Sequence, residues 1–488
     1  MSSCAAFGLS ALVLCACVGP NFHRPAPPRV DRYTAEPLPA ETASAAGPGG
    51  AAQRFLAEAD VPRNWWTRFG SEELNALVTE ALHANPSVQA AQAALRQALE
   101  LTAAQRGAYF PEVQASFEPS RNQNAIGVLA PTLNSGTALF NLYTAQVSVS
   151  YIPDVFGVNR RQVESLGALA DANRFQLDAT YLTLTANVVT AAVQESGLRA
   201  QIAATERVLA LEREALSVMR RELDLGAIAE SDVFAQEAAL AQLEATLPPL
   251  HRQLETARDS LAALTGHLPG DFKAPRFELD QLVLPVDLPL GIPSQLVERR
   301  PDVRAAEAQL HAATAQVGVA IANMLPQITI TGNAGSSATA MGDLFKSGTR
   351  FWSAGATLSQ TLFSGGTLLH RKRAADAALD QAGAQYRSAV LTAFQNVADA
   401  LHALDTDADA LAASARAESA AQKSMVVMRR QLELGSVNYL ALVGAEQTYQ
   451  QAVNSAVQAR ANRYADTAAL FQALGGSITP MSGPAAAR

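Results

Sequence analysis

The chain has 488 residues, enough for several domains, and carries a formal net charge of −8. This mildly acidic balance argues against a nucleic-acid-binding protein, which would need a basic face. The three cysteines all lie within the first 17 residues, so packing rather than disulfide bonds is expected to hold the body of the chain together.

The N-terminus resembles the export signal of a bacterial lipoprotein. Residues 5–14 form a short apolar run, and small residues precede Cys17 as in a lipobox, with cleavage before Cys17 and lipid on its sulfur. No Lys or Arg precedes the run, so either the signal is atypical or the true start lies upstream. The alternative is a buried N-terminal helix with incidental cysteines. The proline-rich sequence that follows cannot continue a helix and favours the lipobox.

An extended segment and two helices come next. Residues 18–60 are rich in Pro, Ala and Gly, which predicts an extended strap. An N-cap signature at Ser71 begins a first short helix. A second helix is predicted from Pro86 to about Gly107.

The periodicity then changes to two, which is typical of strands. Apolar and polar residues alternate over residues 112–117 and 142–152, and again over 327–331 and 351–362. This pattern predicts four strands of about ten residues, two in each half of the chain. Such strands could span a membrane as part of a β-barrel. A soluble hairpin with one wet face is an equally good local interpretation.

A very long helix is predicted after the first pair of strands. From Asp154 to Gly226 the chain is helical, and apolar residues recur at alternating steps of four and three. Only Glu195, Thr205 and Glu212 interrupt this apolar seam. The 3.5-residue period indicates coiled packing, and roughly 70 residues at about 1.5 Å each make a rod about 100 Å long.

Helices that return from the rods complete each half. Ser231 and Asp232 start a helix that is predicted to run to about Thr265. In the second half, residues 366–434 run outward and residues 438–474 return. Each long helix therefore ends in a turn that joins it to a shorter partner.

The two halves repeat one sequence pattern, which indicates an internal two-fold repeat. Near the turns, the second copy follows the first by 209 positions: Arg220, Arg221, Leu223, Leu225, Gly226, Glu237 and Gln242 recur as Arg429, Arg430, Leu432, Leu434, Gly435, Glu446 and Gln451. Upstream, the shift is 215 positions: Pro86, Val88, Leu95 and Pro111 recur as Pro301, Val303, Leu310 and Pro326.

The pattern gives a domain organisation in six segments. They are a signal peptide over residues 1–16, a lipidated strap over 17–66, a first repeat over 67–266, a connector over 267–292, a second repeat over 293–476 and a C-terminal tail over 477–488.

The membrane interpretation demands an oligomer. After the signal, no segment offers about 18 uninterrupted apolar residues, which excludes a transmembrane helix. Strands would have to cross instead, and open strand edges are not tolerated in lipid. Four strands cannot close a barrel, for which about eight is the minimum. Three chains would supply twelve strands and twelve helices, and the Ala-rich helices could pack side by side around an open cylinder.

Several motifs together resemble the TolC-like outer-membrane efflux channels, in their lipoprotein, NodT-like branch. They are the lipobox with the following Val18-Gly19-Pro20, the segment Ser150-Tyr151-Ile152-Pro153-Asp154-Val155-Phe156-Gly157, its counterpart Leu362-Phe363-Ser364-Gly365-Gly366, and the turns at Gly226 and Gly435. The resemblance covers the chain from Cys17 to Gly476. Each motif alone is weak, but the combination is specific.

The resemblance implies an α+β membrane protein and a homotrimer. Each chain would contribute four strands to a twelve-stranded β-barrel in the bacterial outer membrane, and coiled-coil helices to a twelve-helix α-barrel in the periplasm. The expected function is the passive, gated exit duct of a tripartite drug-efflux pump. Its partners would be outer-membrane lipid, a periplasmic adaptor and an inner-membrane transporter of RND type.

The free ends of the helical hairpins are the expected functional sites. The resemblance implies that the tips dock the adaptor, which singles out Gly226 and Ala227 in the first tip and Gly435 and Ser436 in the second. A glycine at the C-cap of a helix needs no functional explanation, so purely structural turns are the alternative.

The same tips are implied to gate the duct with apolar and acidic side chains. Leu440 is the candidate for an apolar ring, and Asp232 for an acidic ring that favours cations. Asp232 could instead, or in addition, cap its helix. Gly444 stands where many relatives carry an aspartate, so Glu230 and Glu446 are further candidates for the gate, and a mainly apolar gate is the alternative.

No enzyme chemistry is predicted. The sequence has no His-Glu-x-x-His motif, no Cys/His cluster and no phosphate-binding glycine loop, so no metal or other cofactor is expected. The rival interpretation is a non-conducting, trimeric coiled-coil lipoprotein with a structural or adhesive role.

Overall fold

The computed structural model describes residues 18–57, 59–123 and 139–475. The predicted signal peptide, its lipid-attachment residue Cys17 and the tail 477–488 lie outside the described residues. The described chain is mostly helical, with a four-stranded and a two-stranded sheet. The described residues divide into two compact units, one comprising those within 18–24, 95–172 and 306–386 and the other comprising the remainder.

The elements alternate between helices and paired strands. The strands are β1 (Arg54–Ala57), β2 (Glu112–Gln123), β3 (Leu139–Tyr151), β4 (Asp287–Leu290), β5 (Gln327–Ala338) and β6 (Arg350–Ser359). The helices are α1 (Glu72–Ala84), α2 (Pro86–Arg106), α3 (Val158–Asp224), α4 (Glu230–Glu244), α5 (Leu247–Leu264), α6 (Pro293–Arg299), α7 (Pro301–Ala322), α8 (Thr367–Glu433) and α9 (Tyr439–Leu474). Short 3₁₀ helices lie at Trp65–Phe69, Gly107–Tyr109 and Met341–Asp343.

In the first unit, the four long strands form one antiparallel sheet in the order β2-β3-β5-β6. The predicted alternation gives this sheet two different faces. Val113 pairs with Val149 on an apolar face, whereas Gln114 pairs with Ser148 on the polar face. Strand β2 is longer than the periodicity predicted, because the mostly polar residues 118–123 continue it beyond the apolar alternation, and β3 begins at Leu139, three residues before its predicted start.

The start of the described chain is tied to the first turn of α3. The Arg161 guanidinium donates hydrogen bonds to the Val18 and Gly19 carbonyls and to the Asn21 side chain, the last at 2.7 Å. Gly19 has a φ of +98°, and a Cβ there would lie 2.5 Å from the Gly318 Cα atom. Because any other residue would both strain the backbone and collide with α7, glycine is required at this position.

In the second unit, the packing centres on an aromatic core made of Trp65, Phe69, Tyr464 and Phe471. Trp65 stacks on Phe471 with ring centroids 5.2 Å apart, and Phe69 lies 6.3 Å from Tyr464. All four side chains are fully buried. The core therefore fixes the 3₁₀ helix of residues 65–69 against the end of α9.

The buried Arg463 binds the extended segment that precedes this core. Its guanidinium donates to the Gly49 and Ala51 carbonyls and to the side chains of Thr42 and Gln53. Backbone carbonyls of an irregular segment need donors when they are buried, and one guanidinium supplies several. Residues 42–53 are thus held by a side chain of α9.

The long helices bury the predicted apolar seam, but the single helix predicted to return from the first tip is not observed. Leu184, Val188 and Leu209, spaced by multiples of the predicted step, are buried on one side of α3. One helix was expected from Ser231 to about Thr265. Two helices, α4 and α5, form instead, because prolines at 248 and 249 lack the N–H groups that would continue the ladder.

No helix of the described residues combines the length and the apolar character that crossing a membrane would require.

Candidate functional site

The first hairpin tip is a tight, glycine-dependent turn between α3 and α4. Gly226 has a φ of +72°, a conformation that favours glycine. The Gly226 amide donates to the Leu223 carbonyl at 2.8 Å and the Ala227 amide to the Glu222 carbonyl at 2.8 Å. These bonds use carbonyls that the end of α3 leaves without intrahelical partners.

The second tip, between α8 and α9, repeats this geometry. Gly435 has a φ of +69°, and the Ser436 amide donates to the Gln431 carbonyl at 2.8 Å. The Asn438 side chain then caps α9 by accepting from the Ala441 amide at 3.1 Å. All four residues predicted at the tips, Gly226, Ala227, Gly435 and Ser436, are exposed.

Three of the four gate candidates lie at the surface near the tips. Leu440 is 65 % exposed in the first turn of α9. Glu230 is exposed, and Asp232 is half-buried. The Asp232 carboxylate accepts from the Ala229 amide at 3.4 Å, so Asp232 does cap α4, although the N-cap residue itself is Ala229.

The fourth candidate, Glu446, lies inside the packed helices. It belongs to a tip cluster of four polar residues, one from each helix of the two hairpins: Glu212 of α3, Gln236 of α4, Arg429 of α8 and Glu446 of α9. Glu446 is 2 % exposed and Glu212 is 3 % exposed. The Arg429 guanidinium donates to Glu446 Oε1 at 3.1 Å, and the Gln236 amide donates to Glu212.

The electrostatics of the tip cluster favour a bound proton. Burial, together with the neighbouring Glu446 carboxylate, raises the pKa of Glu212 to about 7. Glu446 Oε2 is buried and has no hydrogen-bond partner among the described residues. A proton on Glu212 removes the repulsion between the two carboxyl groups.

A second contact joins the two hairpins closer to the tips. The Tyr439 hydroxyl of α9 donates to Glu222 Oε2 of α3 at 3.0 Å. Burial, the hydrogen bond to Glu222 and the charge of that carboxylate raise the pKa of Tyr439 to about 12. The phenol therefore stays protonated and remains a donor at physiological pH.

The two tips also enclose a groove of about 650 Å³. Glu222, Asp232, Gly435 and Tyr439 are among the residues that line it. Residues of both hairpins thus share one concave surface. Among the described residues, no group of three or more His, Cys, Asp or Glu side chains is placed to hold a metal ion.

Sequence reasoning missed most of the tip cluster. Glu212 was noted only as an interruption of the apolar seam, and Gln236 and Arg429 were given no role. The signal was nevertheless present, because Glu195, Thr205 and Glu212 stand where the seam requires buried residues. All three are buried, so an acid in a seam position indicates a buried carboxylate in need of a partner.

A comparison with known proteins identifies the family. A sequence profile described as outer membrane efflux protein matches residues 77–267 and 292–476, which is more than half of the chain. The chain belongs to the outer membrane efflux protein family. The prediction of an outer-membrane efflux duct is thereby confirmed, and nothing in the comparison supports the rival non-conducting lipoprotein. This family consists of efflux ducts, not enzymes.

Individual relatives agree with this assignment. The efflux protein is 28 % identical over 429 residues to the pyoverdine export outer membrane protein OpmQ of Pseudomonas aeruginosa, covering 87 % of this chain and 90 % of that one. It is 29 % identical over 479 residues to the outer membrane protein OprJ of the same species, covering 96 % of each. The structure of the outer-membrane channel OprN is similar with a TM-score of 0.84 and 28 % identity, covering 95 % of this chain and 100 % of that one.

Proposed function

We propose that this efflux protein is a homotrimeric exit duct of a tripartite pump, with a twelve-stranded β-barrel in the outer membrane and a twelve-helix α-barrel in the periplasm. Each chain contributes four strands and the helices of two hairpins, arranged as an internal two-fold repeat. The duct is passive, so the energy for transport comes from an inner-membrane transporter of RND type.

The observation that carries this proposal is the four-stranded sheet within a chain of this family. Its apolar face includes Val113, Phe117 and Val147, all exposed to solvent in a single chain. A face of this kind suits contact with lipid, and the polar face suits a water-filled lumen. Four strands leave two open edges, which lipid does not tolerate, so several chains must close the barrel together.

The hairpin tips form the entrance of the duct in this proposal. The adaptor docks at the turns that contain Gly226, Ala227, Gly435 and Ser436, and spreads the two hairpins of each chain. Leu440, Asp232 and Glu230 line the entrance, three copies of each. Glu446 acts from inside the helices, because the tip cluster joins the two hairpins. The bond from Tyr439 to Glu222 stabilises the closed state.

The N-terminal segments attach the duct to the membrane, and a connector joins its two repeats. Residues 1–16 are removed as a signal peptide, and acylated Cys17 inserts into the outer membrane. The strap 17–66 leads to the first repeat, 67–266, and the connector 267–292 joins that to the second repeat, 293–476. One lipidated residue anchors the protein, whereas conduction depends on the barrel.

Planar-bilayer recordings test this function. Purified wild-type protein should insert as discrete channels that prefer cations, and the Asp232→Ala variant should lose part of that preference. Glu237→Ala, which removes an acid that pairs with Arg220 outside the proposed entrance, is the matched control. Wild-type protein that forms no channels would refute the exit duct. Unchanged ion selectivity in the Asp232→Ala variant would show that Asp232 is not part of the gate, but it would leave the exit duct itself unrefuted.

A further inference from the structure

The tip cluster joins the two hairpins through its two carboxyl groups. Each acid has a hydrogen-bond partner within its own hairpin. Gln236 of α4 donates to Glu212 of α3 in the first hairpin. Arg429 of α8 donates to Glu446 of α9 in the second hairpin. The carboxyl groups of Glu212 and Glu446 also lie within hydrogen-bond distance of each other. Within the cluster, this contact between two acids is therefore the link from one hairpin to the other.

This link requires a proton. Glu212 and Glu446 are 3 % and 2 % exposed, and two ionised carboxylates that are buried side by side repel each other. Arg429 is the only cation of the cluster, and its guanidinium donates to Glu446 Oε1 at 3.1 Å. One negative charge of the pair is thus left without a counterion, and a proton on Glu212 removes it.

The first hairpin contains the repeat counterpart of this arrangement without the second acid. A shift of 209 positions relates Glu446 to Glu237, which forms an ion pair with Arg220 at 2.7 Å. The Glu237 side chain is 38 % exposed, whereas Glu446 is buried. The residue of the second copy that corresponds to Glu212 is Ala421. The buried carboxyl pair is therefore a feature added to the repeated ion pair, at the place where the two hairpins meet.

The surroundings of the carboxyl pair leave its charge to these few groups. A cavity of about 270 Å³ lies beside the pair, and its other lining side chains are neutral, with four glutamines among them. The nearby charged residues Arg213 and Glu244 pair with each other at the surface. A polar cavity of this size has room for water, which can carry a proton between Glu212 and the solvent.

We propose that opening the entrance releases one proton from the tip cluster of each chain, because opening separates Glu212 from Glu446. This inference rests on the proposed exit duct, in which the adaptor spreads the two hairpins of each chain. After separation Glu212 keeps Gln236 but faces water instead of a second acid, so it ionises as an ordinary glutamate does. Closing the entrance takes the proton up again. Acid therefore favours the closed duct.

The direction and the size of the pH effect follow from proton linkage. Burial and the Glu446 carboxylate raise the pKa of Glu212 to about 7 in the closed duct, from the ordinary value of 4.5. Below about pH 4.5 both states hold the proton, and above about pH 7 neither does. Between these limits each pH unit favours opening about tenfold in each chain. The bond from Tyr439 to Glu222 adds no pH dependence here, since the pKa of Tyr439 is about 12.

Single-channel recordings of the full-length protein between about pH 5 and about pH 8 test the inference. The open probability of wild type should rise by about tenfold or more for each unit up to about pH 7 and then level off. Glu212→Gln keeps a hydrogen-bonding side chain that cannot ionise, so its open probability should stay low at every pH. Glu446→Gln should also abolish the pH dependence, and it replaces Glu212→Gln if that variant does not assemble.

Glu237→Gln is the matched control, because it changes the repeat counterpart of Glu446, which faces no second acid. This variant should keep the pH dependence of wild type. Infrared difference spectroscopy detects the proton itself. At about pH 6 the wild-type protein should show the band of a protonated carboxyl group that Glu212→Gln lacks.

Each outcome decides the inference. A pH dependence that both pair variants lose and Glu237→Gln keeps supports it. A pH dependence that Glu212→Gln retains overturns it, because the proton then leaves another group. An open probability that does not change with pH in a conducting wild-type protein also overturns it, although the exit duct stands. Wild-type protein that forms no channels at any pH refutes the proposed function, and the proton release with it.

Discussion

The aromatic core and the tip cluster both lie in the second unit, yet they are held together by different interactions. The aromatic core buries Trp65, Phe69, Tyr464 and Phe471 against one another. The tip cluster instead buries two acids, Glu212 and Glu446, whose charges oppose each other. The first arrangement is stable in one geometry, whereas the second depends on a proton and on single hydrogen bonds.

This difference suits the two regions to different tasks. Tight packing of large apolar side chains resists rearrangement, because any displacement opens cavities. A buried pair of acids has a small net stabilisation and is sensitive to its surroundings. We therefore expect the aromatic core to stay fixed while the hairpin tips move, and the following variants test that contrast.

The largest effect is expected in the aromatic core. Phe471→Ala removes a fully buried ring that stacks on Trp65, and should lower the free energy of unfolding by about 3–5 kcal/mol. Phe234→Ala, at a position 57 % exposed in α4, is the matched control and should change it by less than about 1 kcal/mol. Urea denaturation monitored by circular dichroism measures both. Equal effects would show that the core is not the more tightly held region.

The buried Arg463 should give the next largest effect. Arg463→Met leaves the Gly49 and Ala51 carbonyls without their donor and should destabilise the protein by at least about 2 kcal/mol. It should also expose residues 42–53 to limited proteolysis. Arg460→Met, which breaks an ion pair with the exposed Asp280, should cost no more than about 1 kcal/mol. Protease resistance equal to wild type in Arg463→Met would contradict this account of the segment.

The tip cluster should make the hairpins sensitive to pH. An unfolded glutamate has a pKa near 4.5 and folded Glu212 one of about 7. Below about pH 4.5 both states hold the proton and the stabilisation is complete. As the pH rises from 4.5 to 7 only the folded state still holds it, so stability falls, and above 7 the loss is complete. We expect about 2 kcal/mol less stability in the hairpins at pH 8 than at pH 5.

Glu212→Gln should remove this pH dependence from α4. Hydrogen exchange of α4 amides, corrected for intrinsic rates, measures the local stability at each pH. Burial and the nearby Asp407 also raise the pKa of Asp466 to about 7, so Asp466→Asn is the matched control and should leave the response of α4 unchanged. A wild-type response of α4 in Glu212→Gln would rule out the carboxyl pair as its source.

The smallest effect is expected from the bond between Tyr439 and Glu222. Tyr439→Phe removes one hydrogen bond across the hairpins, about 1 kcal/mol, and should raise the open probability about fivefold in single-channel recordings. Tyr449→Phe is the control, since the Tyr449 ring packs against Val208, Leu209 and Leu243 and the substitution keeps that ring. Equal open probabilities in the two variants would show that the bond between Tyr439 and Glu222 does not stabilise the closed state.

The regular elements could be predicted from the sequence because their periodicities are local. The alternation in residues 142–152 and the steps of four and three in α3 each point to one geometry. The tips could also be predicted, since the glycines at 226 and 435 are followed by residues suited to starting a helix. The break between α4 and α5 was not predicted, although the prolines at 248 and 249 are a local signal for it, since proline interrupts the helical hydrogen-bond ladder.

The tip cluster could not be predicted from the sequence, because its four residues come from four different helices. Glu212 and Glu446 are 234 positions apart, and no local pattern states that α3 and α9 bury these residues together. The sequence made Glu446 a candidate for the gate but did not predict its burial, for the same reason. Whether an acid faces water or a second acid depends on helix packing, which the periodicity of one helix does not determine.

The central claim is that four strands of one chain cannot close a pore and that three chains do so together. Light scattering on the detergent-solubilised protein, corrected for bound detergent, gives the number of chains in each particle. The account predicts three copies of the chain in the conducting fraction. A conducting fraction that contains a single copy would contradict it.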